Sequence, residues 1–339
     1  MKKLILILSV GLILAACGGV AKLEVSEINS VFIEYNPADN INFGSEIDAR
    51  ILARLSSGKE VDITNNRKLA FVSTDIQQRG NSKRVVLIKH PNSFSDEYAT
   101  AKFTLTDKDE TYQASDSIHI NFRGNLNILA GGLHGNSGED QKSRGSTIVF
   151  RDGKDGENGT FGQAGSSSSN FVAQIWMEEL MVFIYMRNTA TNEEWKYKTL
   201  AEGPIKFDLT GGNGGSGGDG GNGGDGKAGV IEGGKSKNPG DGGHGGHGGD
   251  GGNGGNGGTI QIFLHPNATS IQTKLDIKTL GGNGGVGGKS GTAGKPGAVL
   301  AGQLTGNMGR NGRVGRRGLN GGNGSFELTV LEFDVEQFK

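Results

Sequence analysis

The sequence predicts an all-β protein in two parts: a two-sheet β-sandwich, then a bundle of polyproline-II helices interleaved with β-strands. Three observations predict this. Neither part holds the long apolar runs of period 3.6 that mark helices. From Lys22 to about residue 123, short segments alternate apolar and polar residues between clusters of turn formers. Beyond about residue 124, glycine recurs at every third position in tract after tract, concentrating there most of the 63 glycines among 339 residues.

The opening MKKLILILSVGLILAACGG reads as an export signal over residues 1–16. Lys2 and Lys3 form a charged start, Leu4 to Leu14 an apolar core and Ala15-Ala16 a small-residue exit, too short for a mature membrane span. Leu14-Ala15-Ala16-Cys17 resembles the lipobox of bacterial lipoproteins. The resemblance implies cleavage before Cys17 and acylation there, with residues 17–23 as a tether and enough acyl chains for stable anchoring. Gly18 and Gly19 follow in place of aspartate, which in that family implies the outer membrane and leaves its periplasmic or surface face open. The alternative is an ordinary signal peptide with a chance cysteine. Cys17 is the only cysteine, so no disulfide framework exists.

Within residues 24–123 the strand-like segments are KLEVSEINSVFIEY, IDARILARLSSGKEVDI, KLAFVSTD, RVVLIKHP, TAKFTLTD and YQASDSIHINF, the first of them starting at Lys22. Ser56-Ser57-Gly58-Lys59 separates two alternating stretches and predicts a hairpin. Strands at this spacing over about 100 residues predict a sandwich of immunoglobulin-like type. The Cys-Trp-Cys pattern of true immunoglobulin domains is absent, so the resemblance is one of architecture. Such modules act as spacers or bind glycan or protein, and no aromatic cluster here marks a binding face.

Residues 124–339 hold the period-three tracts LHGNSGED, GKDGENGTFGQAG (153–165), GGNGGSGGDGGNGGDG (211–226), GDGGHGGHGGDGGNGGNGG (240–258), GGNGGVGGKSGTAGKPG (281–297) and GNMGRNGRVGRRGLNGGNG (306–324). Between them STIVFRD, NFVAQIWMEELMVFIYMRN, EEWKYKTLAEGPIKFDLT, TIQIFLHP, SIQTKLDIKTL and SFELTVLEF read as strands. FVAQIWMEELMVFIYM is the most apolar, but its length and Glu178-Glu179 argue for a buried hairpin over a membrane span.

Polyproline II has three residues per turn and no hydrogen bonds within the chain. In Gly-Gly-X, two edges of that prism are bare backbone, open to bonds from neighbouring tracts, and the third carries each X side chain toward water. One tract alone cannot be ordered, because fixing backbone costs roughly 1–2 kcal/mol per residue and glycine has the most freedom to lose. Several tracts side by side offset that cost. Flexible linkers are the alternative, and they predict loose, serine-rich spacing. A collagen triple helix needs many more than the 6 prolines of this chain. The single-glycine triplets at 153–165 and 306–324 fit either trimerisation or the outside of a bundle.

GGDGGNGGNGGTIQIFLHPNATSIQTKL runs a Gly-Gly-X tract directly into a strand. In this habit the region 124–339 resembles the N-terminal glycine-rich domain of Obg-type GTPases, without their GTPase domain. The resemblance implies a rigid protruding element used for docking, and no nucleotide chemistry.

Several sharper motifs meet physical objections. Gly229 to Ser236 satisfies G-x-x-x-x-G-K-S, yet glycine-rich sequence flanks it where a phosphate cradle needs a strand and a helix. His244, His247 and Asp250 look like a chelating run, but successive X residues sit about 9 Å apart. Zinc ligands converge to about 2 Å from the ion, so neighbours along one tract cannot share a metal; only a pairing across tracts could, and a solvated edge with no metal is the expectation. The calcium nonapeptide repeat fails at Gly221. An ice-binding face would need small apolar X residues, and these are charged or amide-bearing.

Arg310, Arg313 and Arg316 recur at one position of successive triplets, with Arg317 beside them. This makes a line of guanidinium groups suited to phosphates, lipid headgroups or anionic glycans, or else a solvated edge balancing the aspartate-bearing tracts. A balance of 35 Lys+Arg against 36 Asp+Glu argues against a nucleic-acid binder. With no acid–base constellation, no catalytic residue, cofactor or enzyme activity is expected. The sequence therefore predicts a membrane protein anchored through Cys17, with a structural, docking or adhesion role and a protein partner in the cell envelope. A glycan-binding lipoprotein is the alternative, and a hydrolase with an unrecognised site a remote one.

Overall fold

A computed structural model of the chain describes residues 24–66, 69–78, 84–107, 110–145 and 152–339. The export signal, Cys17 and its tether lie outside the described residues, as does the segment STIVFRD except Asp152. The described chain is all-β, with several sheets and three 3-10 helices, Val25–Glu27, Pro266–Lys274 and Val335–Phe338.

Among the described residues eight strands precede residue 124: β1 (Ile28–Tyr35), β2 (Glu46–Leu55), β3 (Glu60–Asp62), β4 (Leu69–Phe71), β5 (Ile76–Gln78), β6 (Arg84–Leu87), β7 (Tyr98–Asp107) and β8 (Glu110–His119). They form two antiparallel sheets, one in the order β1-β2-β6-β5 with β3 also on β2, the other β4-β7-β8. The alternation read in the sequence is the cause: Ile47, Ala49, Ile51 and Ala53 of β2 and Ala99, Ala101, Phe103 and Leu105 of β7 all point into one core. The β2–β3 hairpin turns at Gly58, whose φ of 82° is cheap only for glycine.

That core continues without a break into the glycine-rich region. Phe43 meets Tyr197 edge-on at 5.6 Å, and Phe94 makes T-shaped contacts with both rings of the stacked pair Trp176–Phe183. The buried Asn42 amide donates to Thr199 Oγ1 at 2.7 Å.

The remaining strands are β9 (Leu126–Leu129), β10 (Phe171–Glu178), β11 (Met181–Asn188), β12 (Glu194–Leu200), β13 (Ile205–Asp208), β14 (Val230–Glu232), β15 (Lys235–Lys237), β16 (Ile260–Leu264), β17 (Leu275–Lys278) and β18 (Phe326–Val330). The apolar segment FVAQIWMEELMVFIYM is the β10–β11 hairpin, turning at Glu179 in the left-handed region, φ 55°. β9, β13 and β17 form one parallel sheet, and β10, β16 and β18 are parallel neighbours in another.

Six tracts join these two sheets: T1 (130–145), T2 (152–170), T3 (209–229), T4 (239–259), T5 (279–298) and T6 (304–325). T1, T3 and T5 leave β9, β13 and β17 and lie side by side in that order. T2, T4 and T6 return antiparallel in a second layer and enter β10, β16 and β18. Both layers are thus pinned at one end by parallel sheet.

Hydrogen bonds knit the layers at every triplet. Within the odd layer, Gly211, Gly214, Gly217 and Gly220 N–H donate to the carbonyls of Leu280, Asn283, Val286 and Lys289 at 2.8–2.9 Å. Between layers, Gly243, Gly246, Gly249, Gly252 and Gly255 donate to Gly224, Gly221, Gly218, Gly215 and Gly212, also at 2.8–2.9 Å. Central T3 and T4 have tracts on most sides and need both glycines of each triplet. A Cβ on Gly217 would lie 1.9 Å from the Gly249 carbonyl oxygen, and one on Gly218 would lie 2.0 Å from that of Glu139. The single-glycine tracts T2 and T6 are the outer members of the even layer, with fewer neighbours to approach.

Candidate functional site

Each tract carries its X side chains in a column on the outer face of its layer. The X side chain of one tract accepts a hydrogen bond from the X backbone N–H of the next tract in the same layer. In the odd layer Asn283, Lys289, Thr292 and Lys295 N–H donate to Asn213, Asp219, Asn222 and Asp225 Oδ1 at 2.7–2.8 Å. In the even layer Asp241, His244 and His247 N–H donate to Asp152, Asp155 and Asn158 Oδ1 at 2.6–2.8 Å. These are short acceptor side chains because their role is to satisfy a backbone donor at fixed distance.

The arginines stand at the end of this ladder. Arg310 N–H donates to His244 Nδ1 at 2.9 Å, Arg313 N–H to His247 Nδ1 at 2.8 Å and Arg316 N–H to Asp250 Oδ1 at 2.7 Å. Their carbonyls accept from Gly245, Gly248 and Gly251 N–H. The backbone is therefore fixed on both sides while the side chains, which no further tract needs as acceptors, are exposed. Arg317 lies in the adjoining column, on the bundle's outer edge and not in line with the other three. In that column Asn311, Asn320 and Asn323 cap Ala293, Gly284 and Gly281 N–H of T5. Among the described residues none of the four guanidinium groups has an ion-pair or hydrogen-bond partner. T6 carries four arginines and no carboxylate.

The histidines have a role that the sequence did not reveal. With Nδ1 accepting a backbone N–H, each ring carries its proton on Nε2, which faces outward as a donor. The neighbouring T2 column contributes Asp155, Asn158 and the exposed Phe161, and T6 continues to the exposed Leu319. Asp241, at the far end of the T4 column, is held below the usual carboxylate range by the Asn307 backbone N–H and then the Asn307 amide.

The other sequence motifs resolve into structure. Gly229 to Ser236 covers all but the last residue of the β14–β15 hairpin, whose two-residue turn places Gly233 at φ 57° and Gly234 at 74°. No group of three His, Cys, Asp or Glu among the described residues stands close enough to hold a metal ion. A cleft at the end of β1 is lined by Glu34, Tyr35, Pro37, Asp48 and Arg50, where Arg50 and Glu34 form an ion pair. His90 lies at the junction of the two regions, stacked on Trp195 at 4.0 Å with Nδ1 2.5 Å from the Tyr197 hydroxyl. Burial lowers its pKa and raises that of Tyr197 well above the ordinary value.

Neither known protein families, curated proteins nor solved structures yield a match to the chain.

Proposed function

We propose that the chain is a lipid-anchored protein of the bacterial outer membrane, held through Cys17, with a docking or adhesion role in an envelope assembly. Residues 24–123 serve as an immunoglobulin-like sandwich stalk, and residues 124–339 as a stiff polyproline-II bundle that is its working end. The observation that carries this reading is the even-layer face, where a fixed backbone displays Arg310, Arg313 and Arg316 with no internal partner. A stack cross-linked at every triplet loses little conformational entropy on binding, which favours a preorganised contact surface. Support for the anchor is the sequence Leu14-Ala15-Ala16-Cys17. The resemblance of the tract-to-strand joins to the glycine-rich domain of Obg-type GTPases favours the same docking role.

Two experiments test the reading. Cys17→Ser should move the protein from the membrane to the soluble fraction, and retention in the membrane refutes the anchor. Cross-linking in intact envelopes should give a discrete partner that the Arg310→Ala/Arg313→Ala/Arg316→Ala protein loses. An unchanged cross-linking pattern refutes the docking face.

A further inference from the structure

We propose that the even-layer face binds an extended acidic polysaccharide, a chain of uronic-acid type, laid along T4 and T6. The proposal rests on reading that face as the docking surface and assigns its ligand. The first ground is the pattern of donors. Arg310, Arg313 and Arg316 recur once per triplet, which at a polyproline-II rise is roughly every 9 Å along a straight line. A guanidinium group recognises a carboxylate with two parallel N–H donors. A uronic-acid chain carries a carboxylate on every pyranose and therefore presents acceptors along its whole length to such a row.

The second ground is the choice of ladder residue. Asp or Asn fills most X positions of T4, but His244 and His247 fill the two beside Arg310 and Arg313. All three residue types accept the backbone N–H. Aspartate there would neutralise the arginine next to it, whereas imidazole keeps the ladder bond and adds an outward Nε2–H donor. Asp155 and Asn158 of T2 face these histidines from the other side, and Asp250 stands beside Arg316. The donor field is thus strongest over two triplets, His244–Arg310 and His247–Arg313.

The third ground is Phe161, 72% exposed on the same face, in the T2 column beside Asp250. An exposed ring next to polar groups is a platform for the apolar face of a sugar. A lipid surface would instead want a continuous apolar patch, and in the outward T6 column Asn307, Arg310, Arg313 and Arg316 separate the exposed Leu304 from Leu319.

Polygalacturonate binding to the full chain in detergent tests the proposal, with fully methyl-esterified polygalacturonate as the uncharged control. Binding of the acid form should weaken steeply with salt, and the ester should bind at least tenfold more weakly. His244→Asp/His247→Asp keeps both ladder acceptors, so it should unfold at the wild-type temperature and bind at least tenfold more weakly. Arg310→Ala/Arg313→Ala should do the same. Absence of binding, equal binding of the ester, or undiminished binding by the aspartate variant overturns the proposal. Loss of glycan binding alongside an Arg-dependent protein cross-link would overturn the ligand and leave the docking role standing. Binding only to anionic lipid vesicles would likewise refute the glycan.

Discussion

Gly249→Ala is the substitution that most sharply separates a stacked bundle from a loose one. The added Cβ would lie 2.0 Å from the Thr160 carbonyl oxygen and 2.5 Å from its carbon. An ordinary contact is about 3.5 Å, so T4 and T2 must part by over about 1 Å. Both atoms are backbone, so no side chain can rotate away. Parting weakens Gly249 N–H to Gly218, Gly288 N–H to Gly249 and Gly159 N–H to His247, all at 2.8–2.9 Å. At about 1 kcal/mol each, with overpacking strain of about 1–3 kcal/mol, the cost is roughly 4–6 kcal/mol. Reduced freedom of the unfolded chain returns about 0.4–1 kcal/mol, leaving roughly 3 kcal/mol or more. Gly322→Ala is the control: its nearest neighbour atom, Asn256 Oδ1, is 3.6 Å away, on the exposed X column of T6. Urea unfolding should show Gly322→Ala within about 0.5 kcal/mol of wild type. If Gly249→Ala costs no more than Gly322→Ala, the steric argument for the Gly-Gly-X triplet is wrong.

His90 is held below its ordinary value of 6.5 chiefly by burial, against an opposing effect of Glu193. The unfolded chain therefore binds the proton first, and stability should fall as pH drops from about 7.5 through 6.5 toward the folded value. His90→Gln should flatten that dependence in urea unfolding at pH 7.5 and 5.5, and a flat wild-type profile would refute the buried neutral ring. The Asp241 carboxyl should titrate below the usual carboxylate range by carboxyl-carbon NMR, so its ladder bond persists above that range and fails as pH falls through its own value. A midpoint at or above the ordinary 3.8 would contradict the Asn307 contact. Phe338→Ala removes a ring 6.1 Å from the fully buried Trp176 and 4.9 Å from Tyr185. Trp176 emission should shift to the red with a loss of about 2 kcal/mol, below the range for a fully buried phenylalanine, and unchanged emission would show that the closing segment does not cover it.

The period of three made the tracts legible, because both glycines of a central triplet are demanded by a backbone less than about 3 Å from each Cβ. The strands were legible where one face is wet, as in β2 and β7. The X columns were only half legible. Reading Asn222 or His244 as facing water is right about exposure and misses that each accepts a neighbour's N–H. One signal was present: T3 and T4 restrict X to Asn, Asp, Ser and His, while T5 and T6 admit Val286, Lys289, Arg313 and Leu319, since no tract follows to be satisfied. The shared core was not legible, because Phe94 on Trp176 and Asn42 on Thr199 pair residues far apart in sequence.

Amide hydrogen exchange across residues 211–258 measures the stacking itself. Gly214, Gly217, Gly246 and Gly249 N–H should exchange as slowly as the buried amides of β10, since each is bonded to another tract. Exchange at random-coil rates there, with β10 still protected, would contradict the bundle and with it the fixed face that carries the arginines.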